Sequence, residues 1–221
     1  MKKLTIIFSV FVALVSVAAL AAPYKPEDVK QIVKKNKIGE YVFDLKVLDA
    51  HIKNLMLHTA NYPPKFDSES DKMQATKDII FLTNMMETLV NDPKPDPEIL
   101  WRVGLLCGLG YNLDLPGMSR TADAVFKKAV ELEPEHMMAN YHYGIFLAGK
   151  GNFKDAQTYL KRALARGHRD AEYSLGLTYL GLGNKAKALE NLNSYQKKNP
   201  TKNISRMINA IEAEQTTILK K

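Results

Sequence analysis

Cysteine and tryptophan are nearly absent from this sequence, with one residue of each among 221. The single cysteine, Cys107, excludes an intramolecular disulfide, so apolar packing must stabilise the fold. Cys107 lies within the apolar run Leu105–Leu109, and this setting favours a small buried side chain over a reactive thiol.

Motifs typical of catalysis are also missing. The sequence has no Gly-x-Ser-x-Gly, no complete phosphate-binding loop and no Cys-x-x-Cys. His51 and His58 are seven residues apart and share one face of a predicted helix, but no acidic or cysteine residue joins them at metal-ligand spacing. We therefore predict that both histidines pack or lie at the surface, that the protein is not an enzyme, and that it binds no metal or cofactor.

Dense runs of lysine or arginine are absent as well, although the formal net charge is +7. Lys2 and Lys3 belong to the leader described below, and without them the excess of basic residues falls from seven to five. The remaining charges are spread over many predicted helices, which is typical of a solvated surface. We therefore predict no nucleic-acid partner.

The longest apolar run lies at the N-terminus, over Leu4–Leu20. It follows two lysines and ends in the small-x-small triplet Ala19-Leu20-Ala21, a pattern that predicts a signal peptide over residues 1–21, cleaved after Ala21. The mature protein is then periplasmic or secreted and has no membrane attachment. The alternative is an uncleaved anchor, because about 19 apolar residues can just span a bilayer.

Residues 22–96 form the predicted N-terminal helical region. Apolar residues at helical spacing predict helices over 41–59 and 71–90, which together make an αα-hairpin, and Pro26 is predicted to start a shorter helix before them. Asp96 and Pro97 then have the residue types of a helix N-cap and first turn.

A repeated pattern of small and apolar residues fills residues 97–202, with a period of about 34 positions. The glycines Gly110, Gly144 and Gly176 align with one another, and glycine inside a helix is costly enough to indicate close helix approach. Constant offsets then align three further sets: Ala122, Ala156 and Ala188; Phe126, Leu160 and Leu192; Ala129, Ala163 and Tyr195. The pattern predicts three stacked helical hairpins, and the amphipathic segment 203–221 predicts a helix that caps the stack.

At these residues the chain resembles the tetratricopeptide repeat family, and the passage Ala163–Tyr179 is similar to the Sel-type variant of that repeat. The resemblance covers about 100 residues, and Tyr195 departs from it because a small residue is usual there. It implies an all-α solenoid of αα-hairpins wound as a right-handed superhelix. The expected order is an N-terminal helical hairpin, three repeats and a C-terminal capping helix.

The resemblance also implies a concave groove lined by the first helix of each repeat. The groove positions include an apolar, tyrosine-bearing set with few charges: Tyr111, Met138, Tyr141, Ile145, Tyr173, Leu177 and Leu180. Such a surface predicts an extended or helical segment of another protein as the ligand. The alternative occupant is the N-terminal or C-terminal helix of the same chain.

These observations favour a non-catalytic exported scaffold that binds a protein or peptide partner in the cell envelope. Two alternatives stay open at this point. One is a membrane-tethered adaptor with an uncleaved leader, and the other is an envelope enzyme with its site in the N-terminal helical hairpin, Tyr41–Val90.

Overall fold

The computed structural model describes residues 23–219 except 27, 36 and 40, without the side chains of residues 30 and 214–219. The predicted signal peptide, residues 1–21, therefore lies outside the described residues. The chain divides into two compact units between residues 132 and 133. Among the described residues, no helix is both long enough and apolar enough to cross a membrane.

The N-terminal unit begins with a small β-hairpin that the sequence analysis did not predict. Its elements in order are a 3-10 turn Val29–Ile32, β1 Val33–Lys35, β2 Tyr41–Phe43, α1 Leu45–Thr59, α2 Glu69–Met85, α3 Glu87–Val90, α4 Pro97–Asn112 and α5 Met118–Leu132. The strands pair antiparallel, with Val33 opposite Phe43. The short helix predicted to start at Pro26 is only the 3-10 turn Val29–Ile32, because the chain pairs as strands from Val33 on, where β-branched and aromatic residues lie on both sides of a turn at Gly39.

Two helix boundaries in this unit differ from the predicted ones, each for a physical reason. The helix predicted to start at Tyr41 starts at Leu45, because Asp44 caps it by accepting hydrogen bonds from the backbone amides of Lys46 and Val47. The helix predicted over 71–90 is interrupted at Met86, which is fully buried and separates α2 from α3.

The core of the N-terminal unit forms around α4. Helices α1, α2 and α5 all pack against it. The predicted N-cap Asp96 is confirmed, since its carboxylate accepts a hydrogen bond from the Glu98 amide at 2.9 Å. Arg102, buried on α4, reaches across to α1 and forms a two-pronged ion pair with Asp49, at 2.6 and 2.8 Å.

The C-terminal unit consists of five helices in succession: α6 Met137–Gly149, α7 Phe153–Ala165, α8 Asp170–Gly181, α9 Lys185–Lys198 and α10 Lys202–Leu219. Each packs against the next one along the chain. The short turns between them carry Gly151 and Gly183, whose φ angles of 80° and 74° disfavour other residues. The predicted all-α fold of repeated αα-hairpins is confirmed.

The recurring glycines mark close helix contacts, as predicted, in the second and third repeats. A Cβ atom on Gly144 would lie 2.6 Å from the Leu160 side chain, and one on Gly176 would lie 2.6 Å from Leu192. In the first repeat Gly110 also marks a close contact, because a Cβ there would lie 3.0 Å from the Met118 side chain of α5 and 3.3 Å from Ile79 of α2. Phe126 faces a different glycine, Gly104, where a Cβ would lie 2.7 Å from the ring.

The last helix covers the end of the C-terminal unit. Four of its described apolar side chains are 6–7% exposed and form one cluster with Leu192 of α9: Ile204, Met207, Ile208 and Ile211. This contact is the one predicted for a capping helix, which removes the apolar face of the last hairpin from water.

Candidate protein-binding site

Three of the seven predicted site residues lie on one face of α6. Met138, Tyr141 and Ile145 follow one another at intervals of three and four residues, which places them along one side of a helix. Ile145 is 40% exposed, and the other two are half-buried. No charged residue occurs anywhere within α6, so this face is apolar and aromatic.

Three more predicted residues, Tyr173, Leu177 and Leu180, lie on α8. All three are half-buried and pack against the cluster that α9 and α10 form around Leu192 and Ile208. The chain's own C-terminal helix therefore covers much of this face, as in one of the two arrangements that the sequence allowed. Tyr111, the seventh residue, lies in the N-terminal unit near the end of α4 and is 39% exposed.

Tyr141 connects the α6 face to the interior of the C-terminal unit. Its ring stacks on the His168 ring with centroids 3.7 Å apart and planes 18° from parallel. It also packs against the buried cluster that includes Leu160 and Leu175. Burial raises the pKa of Tyr141 to about 12 and lowers the pKa of His168, so both rings are neutral at pH 7.

Asp170 places a carboxylate among these tyrosines. It is the first residue of α8 and is exposed, and its Oδ1 accepts a hydrogen bond from the Tyr195 hydroxyl at 3.0 Å. The Tyr195 ring lies 5.6 Å from the Tyr173 ring, centroid to centroid. Burial is the main cause of the raised pKa of Tyr141, and electrostatic repulsion from Asp170 adds to it.

Neither the contact between Asp170 and Tyr195 nor the stacking of His168 on Tyr141 was predicted from the sequence. A signal for Tyr195 was present, because the bulky ring stands where the repeat pattern has alanine in the first two copies. His168 had no such signal, since its stacking on Tyr141 depends on the turn between α7 and α8.

The histidines of α1 pack in the interior, which confirms the packing interpretation. The Nδ1 atom of His51 lies 2.8 Å from the Val47 carbonyl oxygen, and the His58 ring stacks on Phe66 with centroids 5.3 Å apart. Tyr24 meets the His58 ring edge-on at 5.5 Å. Within the described part of the chain, no three histidine, cysteine or acidic side chains are placed to hold a metal ion.

A cavity of about 530 Å³ lies in the N-terminal unit between α2–α3 and α4–α5. Val103, Cys107 and Val125 line it together with the polar residues Glu87 and Lys128. Cys107 is 1% exposed, and burial raises the pKa of its thiol to about 12, so it is protonated at neutral pH. The predicted burial of Cys107 is confirmed.

Comparison with known proteins identifies the repeats. The tetratricopeptide repeat family model matches residues 147–203, which run from the end of α6 to the start of α10. No protein with a curated function matches the sequence.

Two solved structures resemble the fold at low sequence identity. MamA from Desulfovibrio magneticus is 21% identical, with a TM-score of 0.50 over 77% of this chain and 85% of that one. A thermophilic tetratricopeptide repeat protein from Thermus thermophilus is 17% identical, with a TM-score of 0.51 over 76% of this chain and 94% of that one. The structural matches establish the helical-repeat fold. At these sequence identities they say nothing about the ligand, which has to be inferred from the site itself.

Proposed function

We propose that this chain, whose residues 147–203 match the tetratricopeptide repeat model, is a non-catalytic scaffold that binds a segment of another protein. The main support for this proposal is the face of α6, where Met138, Tyr141 and Ile145 are accessible in a helix without charged residues. Apolar and aromatic side chains supply most of the energy in such contacts. A helical or extended partner segment has matching chemistry.

The cell envelope is the proposed location. Its support is the leader pattern of two lysines, an apolar run and the triplet Ala19-Leu20-Ala21. The intact mass of the protein purified from envelope extracts tests this: cleavage after Ala21 supports export, and an uncut chain supports the membrane-tethered alternative.

Photocrosslinking in intact cells tests the binding face. A photoreactive phenylalanine analogue is placed at Ile145, and a matched control carries it at Leu182, a large apolar residue of the same unit with 43% exposure. We expect a discrete crosslinked protein from position 145 and none from position 182. Equal crosslinking from both positions, or none from 145, would contradict the proposed binding face.

A further inference from the structure

We propose that Asp170 and the tyrosines around it bind a lysine or arginine side chain of the partner segment. The inference rests on the proposed function and gives the partner a chemistry: an apolar segment with one basic residue. Tyr195 on α9 donates its hydroxyl to Asp170, and its ring lies 5.6 Å from the Tyr173 ring on α8. Tyr141 on α6 stacks on His168, two residues before Asp170 in the chain.

The charge of Asp170 is not neutralised within the described residues. No lysine, arginine or histidine nitrogen described in this structure lies within 4 Å of its carboxylate. Two ionic residues near Asp170 in the sequence have partners of opposite charge, Glu172 with Lys198 at 2.8 Å and Arg166 with Glu135 at 2.7 Å.

The surroundings match the two parts of a basic side chain. A carboxylate forms charge-assisted hydrogen bonds with an ammonium or guanidinium group, and tyrosine faces attract the same cations. The apolar face of α6, with Met138 and Ile145, supplies a surface for the aliphatic stem and for apolar neighbours in the partner segment. The Tyr195 hydroxyl holds the carboxylate in place by its 3.0 Å hydrogen bond to Oδ1.

A purely structural role for Asp170 is the competing explanation. An acidic residue in the first turn of a helix is stabilised by the helix dipole, whether or not it binds a ligand. Asp155 offers a matched control, because it is an exposed acidic residue in the first turn of α7 and its carboxylate accepts a hydrogen bond from Asn152 at 2.7 Å. Asp155→Asn alters a helix terminus in the same way without altering the tyrosine patch.

The experiment is selection of a random dodecapeptide phage library on the purified protein, followed by affinity measurement with the enriched peptides. We expect enriched sequences with one lysine or arginine between apolar residues. Asp170→Asn should weaken their binding about threefold to tenfold, the effect of one exposed ion pair with an aromatic contact. Asp155→Asn should change it less than about twofold, and replacing the peptide's basic residue by glutamine should remove the difference between wild type and Asp170→Asn.

Three other outcomes would overturn either the role of Asp170 or the binding face. Enriched peptides that lack a basic residue but lose binding in Ile145→Glu would overturn the role of Asp170 and leave the proposed scaffold function standing. Basic peptides that bind Asp170→Asn as tightly as wild type would also overturn it. No enrichment over uncoated wells would contradict the binding face itself and the proposed function with it. Circular dichroism of each variant checks that the helical fold is retained.

Discussion

The contact between Gly144 and Leu160 gives the most direct test of why the helices of a repeat pack so closely. In Gly144→Ala, the added Cβ would lie 2.6 Å from the Leu160 Cγ and 3.2 Å from the Ala156 carbonyl oxygen. Leu160 is fully buried, and the Ala156 oxygen belongs to the backbone of α7. Neither neighbour can move away without disturbing the interface between α6 and α7.

Two opposing terms set the size of the effect. Forcing extra atoms into a packed core costs about 1 to 3 kcal/mol, whereas alanine gains about 1 kcal/mol over glycine inside a helix. The branch-point contact with Leu160 places the cost near its upper range, so we expect a net loss of about 1 to 2 kcal/mol in the free energy of unfolding. Gly149→Ala is the control, because a Cβ at the end of α6 meets nothing within 4 Å. At this position only the higher helix propensity of alanine acts, and the free energy of unfolding should rise by up to about 1 kcal/mol.

Urea denaturation followed by circular dichroism measures both variants, with the transition midpoint compared at an unchanged m-value. A double-mutant cycle with Leu160→Ala isolates the contact, because Gly144→Ala should cost much less once the obstructing side chain is removed and only the 3.2 Å contact with the Ala156 oxygen is left. An undiminished Gly144→Ala penalty in the Leu160→Ala background would refute the steric explanation. The same conclusion would follow if Gly144→Ala and Gly149→Ala changed stability in the same direction.

Three further predictions concern single residues. Arg102→Ala removes a buried guanidinium that bridges carboxylates on α1 and α4, so the urea midpoint should fall by the equivalent of about 2 kcal/mol, while Lys127→Ala, which breaks an exposed pair, should cost less than about 0.5 kcal/mol. Cys107 should react with a thiol reagent at pH 8 at least about a hundredfold more slowly in the folded protein than in urea, because burial raises its pKa to about 12; fast labelling of the native state would show that the thiol is accessible. Burial lowers the pKa of His168 below its unfolded value of about 6.5. The contribution of His168 to the free energy of unfolding is therefore complete above that pH and is lost as the pH falls through the folded pKa. His168→Phe keeps an aromatic ring on the stack and should therefore lose less stability than wild type between pH 7.5 and pH 5, and equal losses would contradict the assignment.

The helical repeats could be predicted because packing in a solenoid imposes the same demand on each copy. Ala122, Ala156 and Ala188 are all fully buried, since each lies where two helices of a hairpin approach closely. A requirement that recurs leaves a period in the sequence, and a period can be recognised in a single chain. The match to the repeat family followed from that period.

The N-terminal unit was harder to predict because its elements occur once. The β-hairpin depends on the pairing of Val33 with Phe43 across a short turn, and the end of α2 depends on the burial of Met86. Local helical spacing extends over both positions, so tertiary contacts decide the outcome there. The contact of Phe126 with Gly104 could not be predicted for the same reason, because the later repeats have no glycine at the corresponding position.

The proposed basic-residue site, Asp170 with its tyrosines, was likewise visible in the sequence only as a departure from the repeat pattern. The residue 32 positions before Asp170 is Met138, and the residue 32 positions before Tyr195 is Ala163. The second repeat therefore has an apolar side chain and a methyl group where the third has a carboxylate held by a phenol. Repeat packing does not require the Asp170–Tyr195 pair, because the second hairpin forms without an equivalent. The Asp170–Tyr195 pair lies among tyrosines and is not required for packing. We therefore expect a specific contact with a partner at this pair. If Asp170→Asn and Tyr195→Phe leave the urea midpoint within about 0.5 kcal/mol of wild type but weaken the same basic peptides, the departure from the repeat serves recognition. If both variants lose stability and keep their affinity, the pair serves the fold.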